Sequence, residues 1–147
     1  MAKSLLYTFF RLGKIPDRWK PVLRAEGIRV WEEGIPGRAV LRKVKGPGRR
    51  HYYRTSSFSG CIVLTEQRLL VCSFWQEQIN LPLKDSRISK LFYDVQPPNR
   101  LLLSFNAADF RDDWQGLIEL RLKTDQAGKL GAYLSETEAT SGAASAN

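Results

Sequence analysis

The chain has 147 residues, enough for one domain with a real hydrophobic core. Its 43% hydrophobic and 26% charged residues are an ordinary globular composition and set aside a fibrous or low-complexity chain. The net charge of +8 is uneven: residues 1–58 hold 14 Lys/Arg against 4 Asp/Glu, and residues 59–147 hold 9 against 11. The basic excess thus belongs to the first part of the chain, as a solubilising surface or as a face for lipid headgroups or nucleic acid.

The two cysteines, Cys61 and Cys72, form no CxxC or Cys/His cluster, so no structural zinc site is expected. The expectation is two reduced, half-buried thiols in a cytoplasmic protein. Near the start, Leu5, Leu6, Tyr7, Phe9 and Phe10 form a short apolar run that ends at Arg11 without a small-residue cleavage site. It predicts neither a secretory signal nor a transmembrane segment.

In chain order, residues 4–12 predict a short amphipathic helix, packed on the domain or lying on a membrane. Residues 16–26 predict a second short helix starting or breaking at Pro21, with Trp19, Val22 and Leu23 buried and Gly27 closing it. From Ile28 the period becomes two, with a turn expected at residues 34–37. Residues 38–44 alternate again, and residues 45–50 (KGPGRR) read as a loop. A strand is expected at 51–55 and a bulge or bend at 56–60.

Next comes the densest apolar stretch, residues 60–71 (GCIVLTEQRLLV), which reads as a hairpin. If Leu64 pairs with Leu69, Cys61 faces Cys72 by the same register. One face then carries Cys61, Val63, Leu70 and Cys72, the other Ile62, Leu64, Leu69 and Val71. Both faces are apolar, so something must cover the outer one, and the helix at 4–12 is the expected cover. Further strands are expected at 79–83, 87–95, 100–106 and 116–123, with a turn at 96–99 and an acidic loop at 109–115. A final helix is expected at about 125–135, and the small polar tail 136–147 reads as disordered.

Gly60-x-Ile62-x-Leu64-Thr65-x-x-Arg68-Leu69 resembles the second and third strands of the PH-like superfamily, particularly GRAM-type and bacterial PH domains. The resemblance covers residues 28–134. It implies a mainly β fold: a PH-like sandwich or partly open barrel of about seven antiparallel strands with a C-terminal capping helix. The expected layout is an N-terminal helical extension (1–27), a PH-like domain (28–135) and the tail (136–147).

Enzyme signals are thin. His51 is the single histidine, and no nucleophile elbow or phosphate-cradling P-loop occurs. The chain is read as non-enzymatic, with no cofactor, metal or catalytic residue. Its concentrated feature is the run 38–54, which holds Arg38, Arg42, Lys43, Lys45, Arg49, Arg50 and Arg54 without an acid, interleaved with His51, Tyr52 and Tyr53. These seven are the candidate anion-binding residues. Lys45, Arg49 and Arg50 resemble the basic first hairpin of lipid-binding PH domains, though the Lys…Arg-x-Arg spacing is not cleanly met. The expected function is docking to anionic membrane lipids, by a cytoplasmic and peripherally membrane-bound protein. The alternative is a protein-interaction module with a peptide or partner at a sheet edge or helix groove, anchored by Trp31, Trp75 or Trp114. RNA or single-stranded DNA binding ranks last.

Overall fold

The computed structural model describes residues 13–74 and 76–145, with side chains to Thr137. The described elements run α1 (Lys20–Ala25), β1 (Ile28–Gly46), β2 (Arg49–Thr65), β3 (Arg68–Ser73), β4 (Gln76–Pro82), a 3-10 turn (Ser86–Lys90), β5 (Phe92–Gln96), β6 (Arg100–Asn106), α2 (Ala107–Phe110), β7 (Gln115–Lys123) and α3 (Ala127–Ser145). The fold is mainly β. All seven strands join one open antiparallel sheet in the order β4-β3-β2-β1-β7-β6-β5.

β1 and β2 are long because each serves both halves of the sheet. The first part of β1 pairs with the second part of β2, which carries β3; residues 37–45 of β1 pair with β7. The sheet curls around a shared core. Leu69, Val71, Ile79 and Leu81 from β3 and β4 pack in one cluster with Leu101, Leu103, Phe105, Ile118, Leu120 and Leu122 from β6 and β7. A flat sheet would hold these strands far apart. Ala127, Leu130 and Leu134 of α3 complete that core. Gly131 lets the helix close on β5, since a Cβ there would collide with the Val95 side chain.

The β2–β3 register is as the apolar pattern requires: Leu64 pairs with Leu69 and Cys61 with Cys72. Both thiols are free and fully buried rather than half-buried. Their face, with Val63 and Leu70, lies beneath Ile15 and Leu23, with Trp19 and Trp31 packed at the margin. Among the described residues, the cover is therefore the segment 13–25; the expected helix at 4–12 lies outside them. α1 starts at Lys20, one residue before Pro21, which sits in its first turn; it buries Leu23, but Val22 is exposed. A polar clamp seals the junction. Arg68 Nε donates to Glu26 Oε1 at 2.9 Å, Thr65 Oγ1 to Glu26 Oε2 at 2.8 Å, and Arg68 Nη1 to Asn80 Oδ1 at 2.9 Å.

Several local expectations change. The turn expected at 34–37 is a bulge inside the continuous strand β1, where Gly34 takes φ 68° and the register shifts. The bulge expected on β2 at 56–60 is thus carried by β1 instead. The loop expected at 45–50 is a tight hairpin with only Pro47 and Gly48 outside the strands. The strand expected at 87–95 begins only at Phe92, because Asp85 accepts from the Arg87 backbone N–H at 2.9 Å and caps the 3-10 turn. The acidic loop begins with the short helix α2, and α3 runs on to Ser145, past the expected end near 135. Ala139, Ala143 and Ala144 favour that continuation.

Candidate functional site

The seven cations of the run 38–54 do not form one cluster. Strand alternation already divides them, since Arg54 pairs with Leu41 on the concave face, and Lys43 adds a break. Lys43 takes φ 52°, which breaks the alternation of β1 and turns Val44, rather than Lys43, into the core. Before the kink, Arg38 and Arg42 lie on the outer face of the sheet. Arg38 stands opposite Arg121, and Arg42 reaches Glu119 at 3.3 Å. After it, Lys45 pairs across the hairpin with Arg50 at the tip. Arg49 and Arg54 line the concave side.

There the curled sheet leaves a cleft of about 210 Å³. Arg49, His51 and Arg54 enter it from β2, Gln76 and Gln78 from β4, and Arg111 and Trp114 from the connection into β7. No carboxylate lines it. Trp114 lies against Gly46, where a Cβ would collide with the indole, so the glycine shapes this wall. The Arg111 guanidinium lies over the Trp114 ring at 5.5 Å and donates to Gln78 Oε1. Burial draws the pKa of Arg111 down from its ordinary value, and among the described residues no carboxylate offsets that cost. An anion entering the cleft would supply the missing counter-charge, with three guanidiniums, two amides and an imidazole as donors.

Arg111 escapes a reading of the sequence because it sits in the acidic stretch 109–115, where Asp109, Asp112 and Asp113 dominate. Only the return of that connection to the first hairpin brings it beside Arg49 and Arg54. Gln76 and Gln78 carry no sequence signal for anion binding.

On the hairpin's other side, Lys43, Lys45, Arg50, His51, Tyr52 and Gln115 border a shallow hollow of about 550 Å³. Tyr52 and Tyr53 stand 80% and 62% exposed beside these cations, the two most exposed large hydrophobic residues described. Aromatic rings with polar tips, interleaved with cations, suit a membrane–water interface.

The buried thiols lie under Leu23 on the outer face, whereas His51 lines the concave cleft, so neither thiol meets the imidazole. The hydrogen bond with the Cys72 thiol, and then burial, push the pKa of Cys61 strongly up, away from a reactive thiolate. Among the described residues no group of three or more His, Cys, Asp or Glu gathers to hold a metal ion, and no helix is long and apolar enough to cross a membrane. Of the three candidate anchor tryptophans, Trp31 and Trp114 are half-buried and Trp75 lies outside the described residues. No protein-family model and no curated protein matches the chain.

Proposed function

We propose that this chain is a non-enzymatic, PH-like binding module that docks on anionic membrane lipids from the cytoplasm. The carrying observation is the acid-free cleft in which Arg49, Arg54 and the part-buried Arg111 converge. In this reading the cleft takes a headgroup phosphate while Lys45, Arg50, Tyr52 and Tyr53 rest on the surface around it. The strand order and the C-terminal helix on the open side support the PH-like resemblance.

Near an anionic leaflet each cation contributes about 1 kcal/mol, so several together hold a peripheral protein without a spanning segment. The test is co-sedimentation with neutral and anionic vesicles at low and physiological salt. Binding to the anionic vesicles alone, lost in the Lys45→Gln, Arg49→Gln, Arg50→Gln variant, is the expected result. Equal sedimentation of variant and wild type would defeat the reading.

A second reading, peptide docking, is favoured by Phe92. It is 59% exposed on β5, which is an edge strand of the sheet and packs beside α3. An extended peptide adding to that edge would cover the ring. A partner captured at high salt and released by Phe92→Ser would support it; retention by that variant would count against it.

A further inference from the structure

The outer face of the sheet carries a second concentration of cations, away from the hairpin tip. Arg38 on β1 stands directly opposite Arg121 on β7, and Lys123 on β7 directly opposite Arg100 on β6. Residues 121 and 123 share a face by the period of the strand. Since Leu120 and Leu122 point into the core, that face is the outer one. Like charges placed directly opposite on neighbouring strands repel. Here two such pairs follow one another about 7 Å apart along β7.

The four cations border a hollow of about 550 Å³ that no carboxylate lines. The acids that reach its rim are already bonded. Glu119 is shared between Arg42 at 3.3 Å and Arg121 at 3.4 Å, and Asp94 accepts from Gln96 at 3.4 Å. Among the described residues, Arg38, Arg100 and Lys123 form no ion pair. Ser57 and Gln96 add neutral donors to the rim, and no aromatic ring lines it for a base to stack on.

We infer that this hollow is a second anion site, distinct from the cleft of Arg49, Arg54 and Arg111, and that it takes a compact, multiply charged phosphate-type anion. One such group would bridge both repelling pairs and accept charge-assisted hydrogen bonds from three guanidiniums and an ammonium. From Gln115, which pairs with Lys45 near the hairpin tip, the site lies six to eight residues along β7, about 20–26 Å away. The cleft lies on the concave face of the sheet and this hollow on its outer face, so the two can be filled and emptied separately.

The test is calorimetric titration of the full chain with inorganic tripolyphosphate at physiological salt. Wild type is compared with Arg100→Gln/Lys123→Gln, with the hairpin variant Lys45→Gln/Arg49→Gln/Arg50→Gln, and with Lys84→Gln/Lys129→Gln, which removes as much charge elsewhere. The expected result is one site weakened at least ten-fold in the Arg100/Lys123 variant and changed less than about three-fold in the Lys84/Lys129 control, while the hairpin variant keeps this site and loses only binding in the first cleft, since each lost charge-assisted bond is worth about ten-fold or more. Thermal melting checks the fold. Relief of the like-charge pair should leave the ligand-free Arg100/Lys123 variant melting at or above wild type.

Parallel sedimentation with vesicles separates the sources. Tripolyphosphate binding with vesicle binding unchanged in the Arg100/Lys123 variant assigns a soluble phosphate; loss of vesicle binding in that variant assigns a headgroup. A wild type that binds neither through these residues, or equal loss in the Lys84/Lys129 control, overturns the inference. Failure of the hairpin variant alone to change vesicle binding would bear on the first cleft and not on this one.

Discussion

Arg111 donates through Nη2 to the side chain of Gln78, tying the connection into β7 to the edge strand β4. Those two segments are far apart in the order of the sheet, so this contact spans the concave cleft. It holds a guanidinium among Arg49, His51 and Arg54 without neutralising it. Gln78→Ala should lower stability by about 1.5–3 kcal/mol, the range for a lost bond to a charged group. It should also weaken headgroup binding, because Arg111 loses its fixed direction. Urea denaturation and vesicle binding of the same variant check both; wild-type values in both would remove the contact from the account.

Leu23 is the peg by which the segment 13–25 covers the outer face of β2 and β3. It is fully buried against Cys61, Val63, Leu70 and Cys72. Leu23→Ala should cost about 2–5 kcal/mol, whereas Val22→Ala, one residue away and exposed, should cost under about 0.5 kcal/mol. Chemical denaturation of the pair distinguishes a packed cover from a loosely attached arm.

The same cover should make the thiols chemically silent. Cys61 and Cys72 are both fully buried, and the pKa of Cys61 is raised by the neighbouring thiol and by burial. Alkylation by iodoacetamide at neutral pH should be slower than in urea by orders of magnitude, following the population of the opened state. In Leu23→Ala it should accelerate. Rapid modification of native wild type would contradict the burial.

Acid should loosen this arm through Glu77. Burial by itself would raise its pKa, but hydrogen bonds from Arg18, Asn80 and Trp19 outweigh that and hold it below the ordinary 4.5. A carboxylate with a depressed pKa in the fold contributes stability above its unfolded value, and the contribution disappears as pH falls through the folded value. The melting temperature of wild type should therefore exceed that of Glu77→Gln at pH 6 and converge on it below pH 4.5. A gap that does not narrow as pH falls below 4.5 would show that the charge is not the cause.

Much of this fold was legible in the sequence, and the particular residues show why. Alternation placed Ile79 and Leu81, Leu101, Leu103 and Phe105, and Ile118, Leu120 and Leu122 on the core side, because burial of one face imposes a period of two. The apolar character of both faces at 61–72 predicted a cover, and the segment 13–25 supplies one, while the expected helix at 4–12 lies outside the described residues. What the sequence concealed were backbone irregularities. Gly34 reads as a turn residue and is a bulge, and Lys43 adopts a positive φ that no local pattern announces. Alternation sets Arg54, opposite Leu41, on the concave face and Arg38 and Arg42 on the outer one, and the kink re-aims only the hairpin tip beyond it, so a single basic run is divided between two faces. The cleft was half legible: its β2 side lies in the basic run, but Arg111 joins it only through long-range pairing of β1 with β7.

The central claim is tested most directly by sedimentation of the full chain with anionic vesicles at physiological salt, wild type against Lys45→Gln/Arg49→Gln/Arg50→Gln. At about 1 kcal/mol per cation, the account predicts a loss of about two orders of magnitude in affinity with the fold intact. Equal binding by the two proteins would contradict it and leave the basic hairpin as a solvated surface.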